Sequence, residues 1–180
     1  MILTAAAAAT KRLKVGTGVC LVIQRDTIQT AKVVASIDQV SGGRFLFGIG
    51  GGWNTEEIAD HGTAYPMRFK KMGEQVEAVK QILTNETPEY HGAFVDFPPM
   101  MTWPKLVQKP HPPVIVVGAF AWPRARRSAM ATAILSTTLR VFARWPKRPA
   151  AIGALYLPRW RALWRTRICR SAIVISASPE

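Results

Sequence analysis

Cysteine and long apolar runs are scarce in this sequence of 180 residues, and each scarcity excludes a class of protein. The two cysteines, Cys20 and Cys169, give neither a disulfide framework nor the ligand spacing of a metal site. No apolar run approaches the roughly 18 residues that a transmembrane helix needs. The basic residues of MILTAAAAATKRLK follow its apolar part, the reverse of the order in a signal peptide, so the expected compartment is the cytoplasm.

Acidic residues are scarce in only one part of the chain. Residues 1–120 carry 12 Lys+Arg and 10 Asp+Glu, whereas residues 121–180 carry 12 basic residues and one acidic residue, Glu180. The formal net charge of +13 therefore resides mainly in the last third of the chain. The composition therefore divides the chain near residue 120 into a part of nearly balanced charge and a strongly basic part.

Residues 1–120 alternate between short apolar runs and amphipathic segments. Apolar runs typical of buried strands lie at residues 13–23, 44–50 and 114–117. Helices are predicted at residues 3–12, 27–40, 55–60 and 68–83, and a small hairpin at residues 89–97. This alternation is typical of a parallel α/β sheet.

Small residues follow each predicted strand, where parallel α/β folds bind their ligands. The most conspicuous stretch is GIGGGW at residues 48–53, and glycine at such a place lets a ligand approach the backbone. A dinucleotide-binding fingerprint would require a third glycine where this chain has Trp53. The G-K-[ST] sequence of the phosphate-binding loop (P-loop) of nucleoside triphosphatases is also missing.

Four motifs in order along the chain resemble the luciferase-like monooxygenase family, most closely its deazaflavin-dependent (coenzyme F420) members. They are LKVGTGVCLVIQRDT, a helix ending in D-x-x-SGGR, FGIGGGWNTEE and QKPHPPVIVVGA. The resemblance covers residues 1–120 almost continuously. It implies a fragment of a TIM-type (β/α)₈ barrel, containing about strands three to five, with its site at the carboxyl ends of the strands.

The resemblance implies that coenzyme F420 or FMN binds at the ends of three strands, at Gly18, Val19, Gly50, Gly51, Gly52, Trp53, Gly118 and Ala119. A non-proline cis peptide bond is expected between Gly18 and Val19, where it would support the tricyclic ring of the cofactor. The last pair would lie near the cofactor phosphate. No catalytic residue is identified, and no metal site is expected.

Structural interpretations of several of these residues stay open. Close packing is the alternative explanation for the glycines, and Trp53 is as much a core candidate as a cofactor contact. His61 is more typical of a solvated loop, and the adjacent carboxylates Glu56 and Glu57 suit the first turn of a helix. Asp38 and Arg44 are expected to form an ion pair between a helix and a strand.

Residues 121–180 show no clear period, and they contain 11 Arg, one Lys, four Trp and no Asp. One hypothesis is a frameshift near residue 120. The codons for residues 130–134, read from the third base, can spell Gly-Asp-Gly-Tyr, a type of motif that the family carries at about this distance. A second hypothesis is that RWRALWRTRICR, at residues 159–170, binds nucleic acid or an anionic membrane.

The function expected from the resemblance is that of a flavin- or deazaflavin-dependent oxidoreductase. It would act on paired donors with incorporation or reduction of molecular oxygen, or transfer a hydride, with a small molecule as its substrate. The intact family implies a homodimer, with neither nucleic acid nor membrane as a partner. The alternatives are an inactive, truncated or frameshifted gene product, and a binding module formed by the basic residues 121–180.

Overall fold

A computed structural model describes residues 1–117, 133–135 and 173–176 of the protein. The helices are α1 (Ile2–Ala9), α2 (Thr27–Ser41), α3 (Thr55–Asp60) and α4 (Arg68–Thr84), with short 3₁₀ helices at Val22–Gln24 and Tyr65–Met67. The strands are β1 (Lys14–Thr17), β2 (Phe45–Ile49), β3 (Tyr90–His91), β4 (Asp96–Phe97), β5 (Val114–Val117), β6 (Ala133–Leu135) and β7 (Ile173–Ser176).

Five strands form one sheet in the order β6-β5-β2-β1-β7, and β3 and β4 form a separate hairpin. Neighbouring strands among β1, β2, β5 and β6 are parallel, whereas β7 runs antiparallel to β1. The parallel α/β arrangement predicted for the first 120 residues is therefore confirmed. The strands β6 and β7 were not predicted from the sequence, and most of residues 121–180 lie outside the described residues.

The apolar stripes of α2 and α4 form the core together with the sheet. The buried residues include Ala31, Val34 and Ile37 on α2, Met72, Val76 and Val79 on α4, and Val15, Phe45, Phe47 and Ile49 on the strands. Helical spacing on the two helices and alternation on β1 and β2 place these side chains on facing surfaces. Because β1, β2 and β5 run parallel, their carboxyl ends lie at one edge of the sheet.

Local signals explain why α2 begins and ends where it does. The Asp26 carboxylate caps the helix by accepting a hydrogen bond from the Gln29 N–H at 2.7 Å. Gly42 ends the helix in the left-handed conformation, with φ of 60°, which glycine adopts at no steric cost. At α3, Asn54 caps the first turn, which contains Glu56 and Glu57 as predicted.

The strand predicted at residues 13–23 is shorter than expected. β1 ends at Thr17, and Val22–Gln24 forms a 3₁₀ helix. A cis peptide bond between Gly18 and Val19 separates β1 from Cys20, which pairs with Ile49 in an isolated parallel bridge. The apolar sequence continues through this segment, so hydropathy alone does not reveal that the strand is interrupted.

The expected ion pair between Asp38 and Arg44 is wrong, because each residue binds other groups. Asp38 is fully buried and accepts hydrogen bonds from the backbone N–H groups of Val107 and Gln108, at 2.8 and 3.0 Å. The side-chain amide of Gln108 donates a third bond to Asp38 at 2.7 Å. Asp38 therefore attaches the segment that leads to β5 to the end of α2.

Arg44 instead connects α1 to the sheet through main-chain oxygen atoms. Its Nη2 donates to the carbonyl oxygens of Ala7 and Thr10 at 2.8 and 2.9 Å. Its Nε donates to the carbonyl oxygen of Ser41 at 2.6 Å, and its Nη1 donates to that of Leu13. The planar guanidinium thereby satisfies carbonyl groups at the end of α1, just before β1 and at the end of α2.

Candidate cofactor site

The predicted cofactor residues follow three strands that are neighbours in the sheet. Ile49, the last residue of β2, lies in register with Val116 of β5 and bridges to Cys20 after β1. The segments that begin at Gly18 and Gly50 therefore leave the same edge of the sheet. Gly118 and Ala119 come directly after β5 but lie outside the described residues.

The segment after β1 has the geometry that the resemblance implied, because the peptide bond between Gly18 and Val19 is cis. The N–H of Cys20 donates to the carbonyl oxygen of Gly48 at 2.8 Å. The N–H of Gly50 in turn donates to the carbonyl oxygen of Cys20 at 3.2 Å. Residues 17–20, named here the β1 bulge, are thus held against the end of β2.

Thr17 and Gly48 are two contributors to this arrangement that were not among the predicted site residues. The hydroxyl of Thr17 donates to the carbonyl oxygen of Gly48 at 2.6 Å. A Cβ atom at position 48 would lie 1.9 Å from the carbonyl oxygen of Thr17, so only glycine allows the strands this close. The G-x-G pattern at residues 48–50 indicated a close approach of the backbone, but it did not show that Gly48 is the glycine that contacts β1.

Two glycines of the loop after β2 serve close packing. A Cβ atom at Gly51 would lie 2.3 Å from Cε1 of Phe69, at the start of α4. Gly52 has a positive φ of 72°, and its Cβ would lie 3.1 Å from Cδ1 of Ile58. Trp53 is 69% exposed, which rules out the core interpretation of this residue. The loop is therefore a tightly folded segment with an aromatic side chain on its surface.

Arg68 lies beside this loop and was not singled out from the sequence. Its guanidinium carbon is 3.6 Å from the ring centroid of Tyr65 and 4.1 Å from that of Phe69, whose ring contacts Gly51. Nη1 donates to the carbonyl oxygen of Tyr65 at 2.7 Å, while the buried Nε has no hydrogen-bond partner among the described residues. The guanidinium is therefore fixed on two rings, and its positive charge, rather than the buried Nε, is what would attract an anion.

A cavity of about 230 Å³ lies on the α2 side of the β1 bulge. Thr17 and Cys20 contribute to its wall, and the apolar part of the lining comes from α2 and β2: Val33, Val34, Ile37, Phe45 and Phe47. Burial raises the pKa of the Cys20 thiol, and the positive charge of Arg25 opposes this increase. The thiol is therefore protonated at neutral pH and is not an activated nucleophile.

The histidines of the described segments do not form a metal or acid–base centre. His61 is exposed, as expected for a loop residue, and His91 pairs with Asp96 at 2.6 Å on the exposed β3–β4 hairpin. Within residues 1–117, 133–135 and 173–176, no group of three or more His, Cys, Asp or Glu side chains could hold a metal ion. None of the described helices is long and apolar enough to cross a membrane.

Sequence relatives of this chain include enzymes that use FMN and F420. An uncharacterized protein from Mycobacterium tuberculosis is 44% identical over 117 residues, 65% of this chain and 41% of that protein. The FMNH(2)-dependent dimethylsulfone monooxygenase of Pseudomonas putida is 33% identical over 92 residues, 49% of this chain and 25% of the enzyme. The F420-dependent glucose-6-phosphate dehydrogenase of Amycolatopsis mediterranei is 28% identical over 123 residues, 66% of this chain and 36% of the enzyme. The matched region thus spans less than half of each relative.

Solved structures show the same fold. The crystal structure of monooxygenase RslO1 from Streptomyces bottropensis matches with a TM-score of 0.62 and 31% identity, over 65% of this chain and 36% of that one. The coenzyme F420-dependent tetrahydromethanopterin reductase from Methanopyrus kandleri matches with a TM-score of 0.58, over 75% of this chain and 43% of the other. The latter is 23% identical and supports the fold alone.

The sequence model of the luciferase-like monooxygenase family matches residues 1–176, which extends beyond the four motifs seen in the sequence. Family, fold and local geometry therefore agree over the described part of the chain. The α/β sheet corresponds to part of the TIM-barrel fold, and the cis bond lies where the family resemblance implied. This protein belongs to the luciferase-like monooxygenase family.

Proposed function

We propose that this chain provides the cofactor-binding edge of a flavin- or deazaflavin-dependent oxidoreductase that acts on a small-molecule substrate. The observation that carries the proposal is the β1 bulge, which is tied by hydrogen bonds to Gly48 and lies beside the glycine loop of β2. Membership of a family whose relatives include FMNH(2)- and F420-dependent enzymes supports it. The cofactor is FMN or coenzyme F420.

The residues present fit such a cofactor in two respects. The close approach of β1 and β2 at Gly48 leaves a fixed, partly exposed backbone surface at Gly18 and Val19, against which a flat ring would lie, with the buried Gly50 behind it. The guanidinium of Arg68, which lies on the rings of Tyr65 and Phe69 beside Gly51, supplies a cationic group for a phosphate, a group that both cofactors carry. Gly118 and Ala119 are proposed as further phosphate contacts.

The bound cofactor would supply the redox chemistry, either hydride transfer or oxygen activation. The chain's own residues would bind and orient it. The hydrogen bonds at Gly48 fix the β1 bulge, and the packing of Phe69 on Gly51 fixes the adjacent loop. Trp53, which is exposed at the end of this loop, would cover one side of the ligand and exclude water.

A titration of the purified chain with FMN and with F420 tests the proposal. Fluorescence of each cofactor reports binding, and thermal unfolding reports the linked stabilisation, about 2.7 kcal/mol at a ligand concentration of 100 Kd. We expect saturable binding and a cooperative melt that rises with cofactor concentration. A chain without a cooperative melt and without binding would contradict the proposal and support the alternative of an inactive gene product.

The variant Arg68→Met tests the phosphate contact. Loss of a charge-assisted hydrogen bond of about 1.5–3 kcal/mol predicts binding weaker by a factor of roughly 10 to 100. Lys32→Met is the matched control, since Lys32 is exposed on α2 and its substitution removes the same charge. Equal affinity of Arg68→Met and Lys32→Met would exclude Arg68 from the site while leaving the proposed ring contacts to be judged from the wild-type titration.

A further inference from the structure

Two donors on the β1 bulge share one acceptor, the carbonyl oxygen of Gly48. The Thr17 hydroxyl reaches this oxygen at 2.6 Å and the Cys20 N–H reaches it at 2.8 Å. The peptide between Gly18 and Val19 lies between these two donors along the chain. The bulge is consequently attached to β2 on both sides of this peptide.

On the α2 side of the bulge, Cys20 packs against the core, but part of the space beside the bulge is empty. Thr17 and Cys20 face the cavity of about 230 Å³, beyond which lie Val34 and Phe47. The atoms that line a void have no contact partners across it, so they lose the dispersion contacts that close packing provides. The position of the bulge therefore depends on its hydrogen bonds to Gly48 as well as on packing.

The two bonds have different roles in the fold. The Cys20 bond belongs to the ladder between the end of β1 and the end of β2, together with the bond from Gly50 to Cys20. The Thr17 bond is an addition from a side chain, and valine would replace it with almost no change in shape. A substitution at residue 17 can therefore remove the side-chain hydrogen bond to Gly48 while leaving the backbone hydrogen bonds of the bulge in place.

We propose that Thr17 is a positioning residue that holds the Gly18–Val19 peptide in place for the cofactor ring. This inference rests on the proposed function, because it assigns Thr17 a role in the same site. Thr17 acts through Gly48 and needs no contact with the cofactor. Its hydroxyl fixes the near end of the bulge, and the Cys20 N–H fixes the far end.

The test compares Thr17→Val with Thr17→Ser, which retains the hydroxyl, and with the control Thr30→Val. Thr30 lines the same cavity, and its hydroxyl donates to the carbonyl oxygen of Asp26 at 2.6 Å, away from the bulge. We expect Thr17→Val to weaken FMN or F420 binding about tenfold, with the serine variant close to wild type. Thr30→Val should lower the melting temperature about as much as Thr17→Val does, because each loses one hydroxyl hydrogen bond. Unlike Thr17→Val, it should leave the cofactor affinity unchanged.

Hydrogen exchange at the amides of Cys20 and Gly50 provides a readout that needs no cofactor. Thr17→Val should speed this exchange about tenfold, because it loosens the bulge, whereas Thr17→Ser and Thr30→Val should not. Equal exchange in Thr17→Val and Thr30→Val would overturn the inference. If the wild-type chain bound neither cofactor, the proposed function would fail, and the exchange comparison would still decide whether Thr17 positions the bulge.

Discussion

Replacing Gly48 with alanine tests how closely β1 and β2 must approach at the edge that carries the candidate site. The added Cβ would lie 1.9 Å from the carbonyl oxygen of Thr17 and 3.1 Å from its carbonyl carbon. Both atoms belong to the backbone, so no flexible side chain can move aside. The strands would have to separate, which breaks the hydrogen bonds that the Gly48 oxygen accepts from Thr17 and Cys20.

Alanine substitutions at two other glycines, Gly16 and Gly42, provide comparisons in which the added Cβ atom meets less obstruction. At Gly16 a Cβ would lie 3.1 Å from the Cβ and carbonyl oxygen of Leu46, a tight contact that a small shift relieves. At Gly42 nothing lies within 4 Å, and the cost arises only from the positive φ of 60°. We expect a loss of about 1 kcal/mol at Gly42 and a similar loss at Gly16. At Gly48 we expect about 3 kcal/mol or more, because overpacking and two lost hydrogen bonds combine.

Urea unfolding followed by circular dichroism measures all three variants against the wild-type chain. The cofactor titration described above then shows whether Gly48→Ala also weakens binding, whereas Gly42→Ala, distant from the site, should bind normally. If the substitution costs more than the whole stability of the chain, Gly48→Ala will show no cooperative transition, and this result also agrees with the prediction. A Gly48→Ala chain as stable as Gly42→Ala would refute the reasoning, since it would mean that β1 and β2 are not in close contact at this position.

Two further predictions concern single side chains away from the site. Arg44→Lys should destabilise the fold by about 2 kcal/mol, as measured by urea unfolding. A single ammonium cannot replace a guanidinium that reaches the carbonyl oxygens of Ala7, Thr10 and Ser41. Unchanged stability would argue against these contacts. Tyr90 has its pKa raised to about 12 by burial and by the nearby negative charge of Glu77, so its ionised form is disfavoured in the folded state. The free energy of unfolding should therefore fall as pH rises from about 10 through 12. Phenolate absorbance followed against pH, in wild type and in Tyr90→Phe, would isolate the titration of Tyr90 as the difference between the two curves. Ionisation of Tyr90 near pH 10 would contradict the prediction.

The sequence predicted most helices and strands well because their boundaries are encoded locally. The helix predicted at residues 27–40 is observed at Thr27–Ser41, where Asp26 caps its start and Gly42 ends it. The strand Val114–Val117 and the hairpin within residues 89–97 also occur where they were predicted. Such features depend on residues next to one another in the chain, which a pattern can detect.

The errors arise where distant residues decide the outcome. β1 ends at Thr17 and the chain pairs again with β2 only at Cys20, an interruption that no run of apolar residues signals. Asp38 and Arg44 looked like partners, yet Asp38 binds the backbone near residue 107 and Arg44 binds α1. The unused donor of Arg68 could not be predicted either, because it depends on the rings of Tyr65 and Phe69 packing around it.

At the candidate site, the sequence singled out Gly50, Gly51 and Gly52 but not the structural reason for each glycine of the GIGGG segment. Gly51 and Gly52 fit against side chains of the following helices, and Gly48 permits the contact between strands. The resemblance predicted the Gly18–Val19 cis bond, and the structure confirms it. Thr17, whose hydroxyl holds this segment, was overlooked because a threonine in an apolar strand is also what strand propensity alone would favour.

The buried Asp38 carboxylate has a consequence for the alignment of the strands. Gln108 donates to Asp38 at 2.7 Å and to the carbonyl oxygen of Phe45 at 2.9 Å, so it is fixed to both α2 and the first residue of β2. β5 begins at Val114, only a few residues later, and pairs with β2 through Phe47. A shift of one residue would turn every side chain of β5 to the opposite face. By limiting the free chain before β5, one carboxylate at the end of a helix selects which face of a distant strand enters the core.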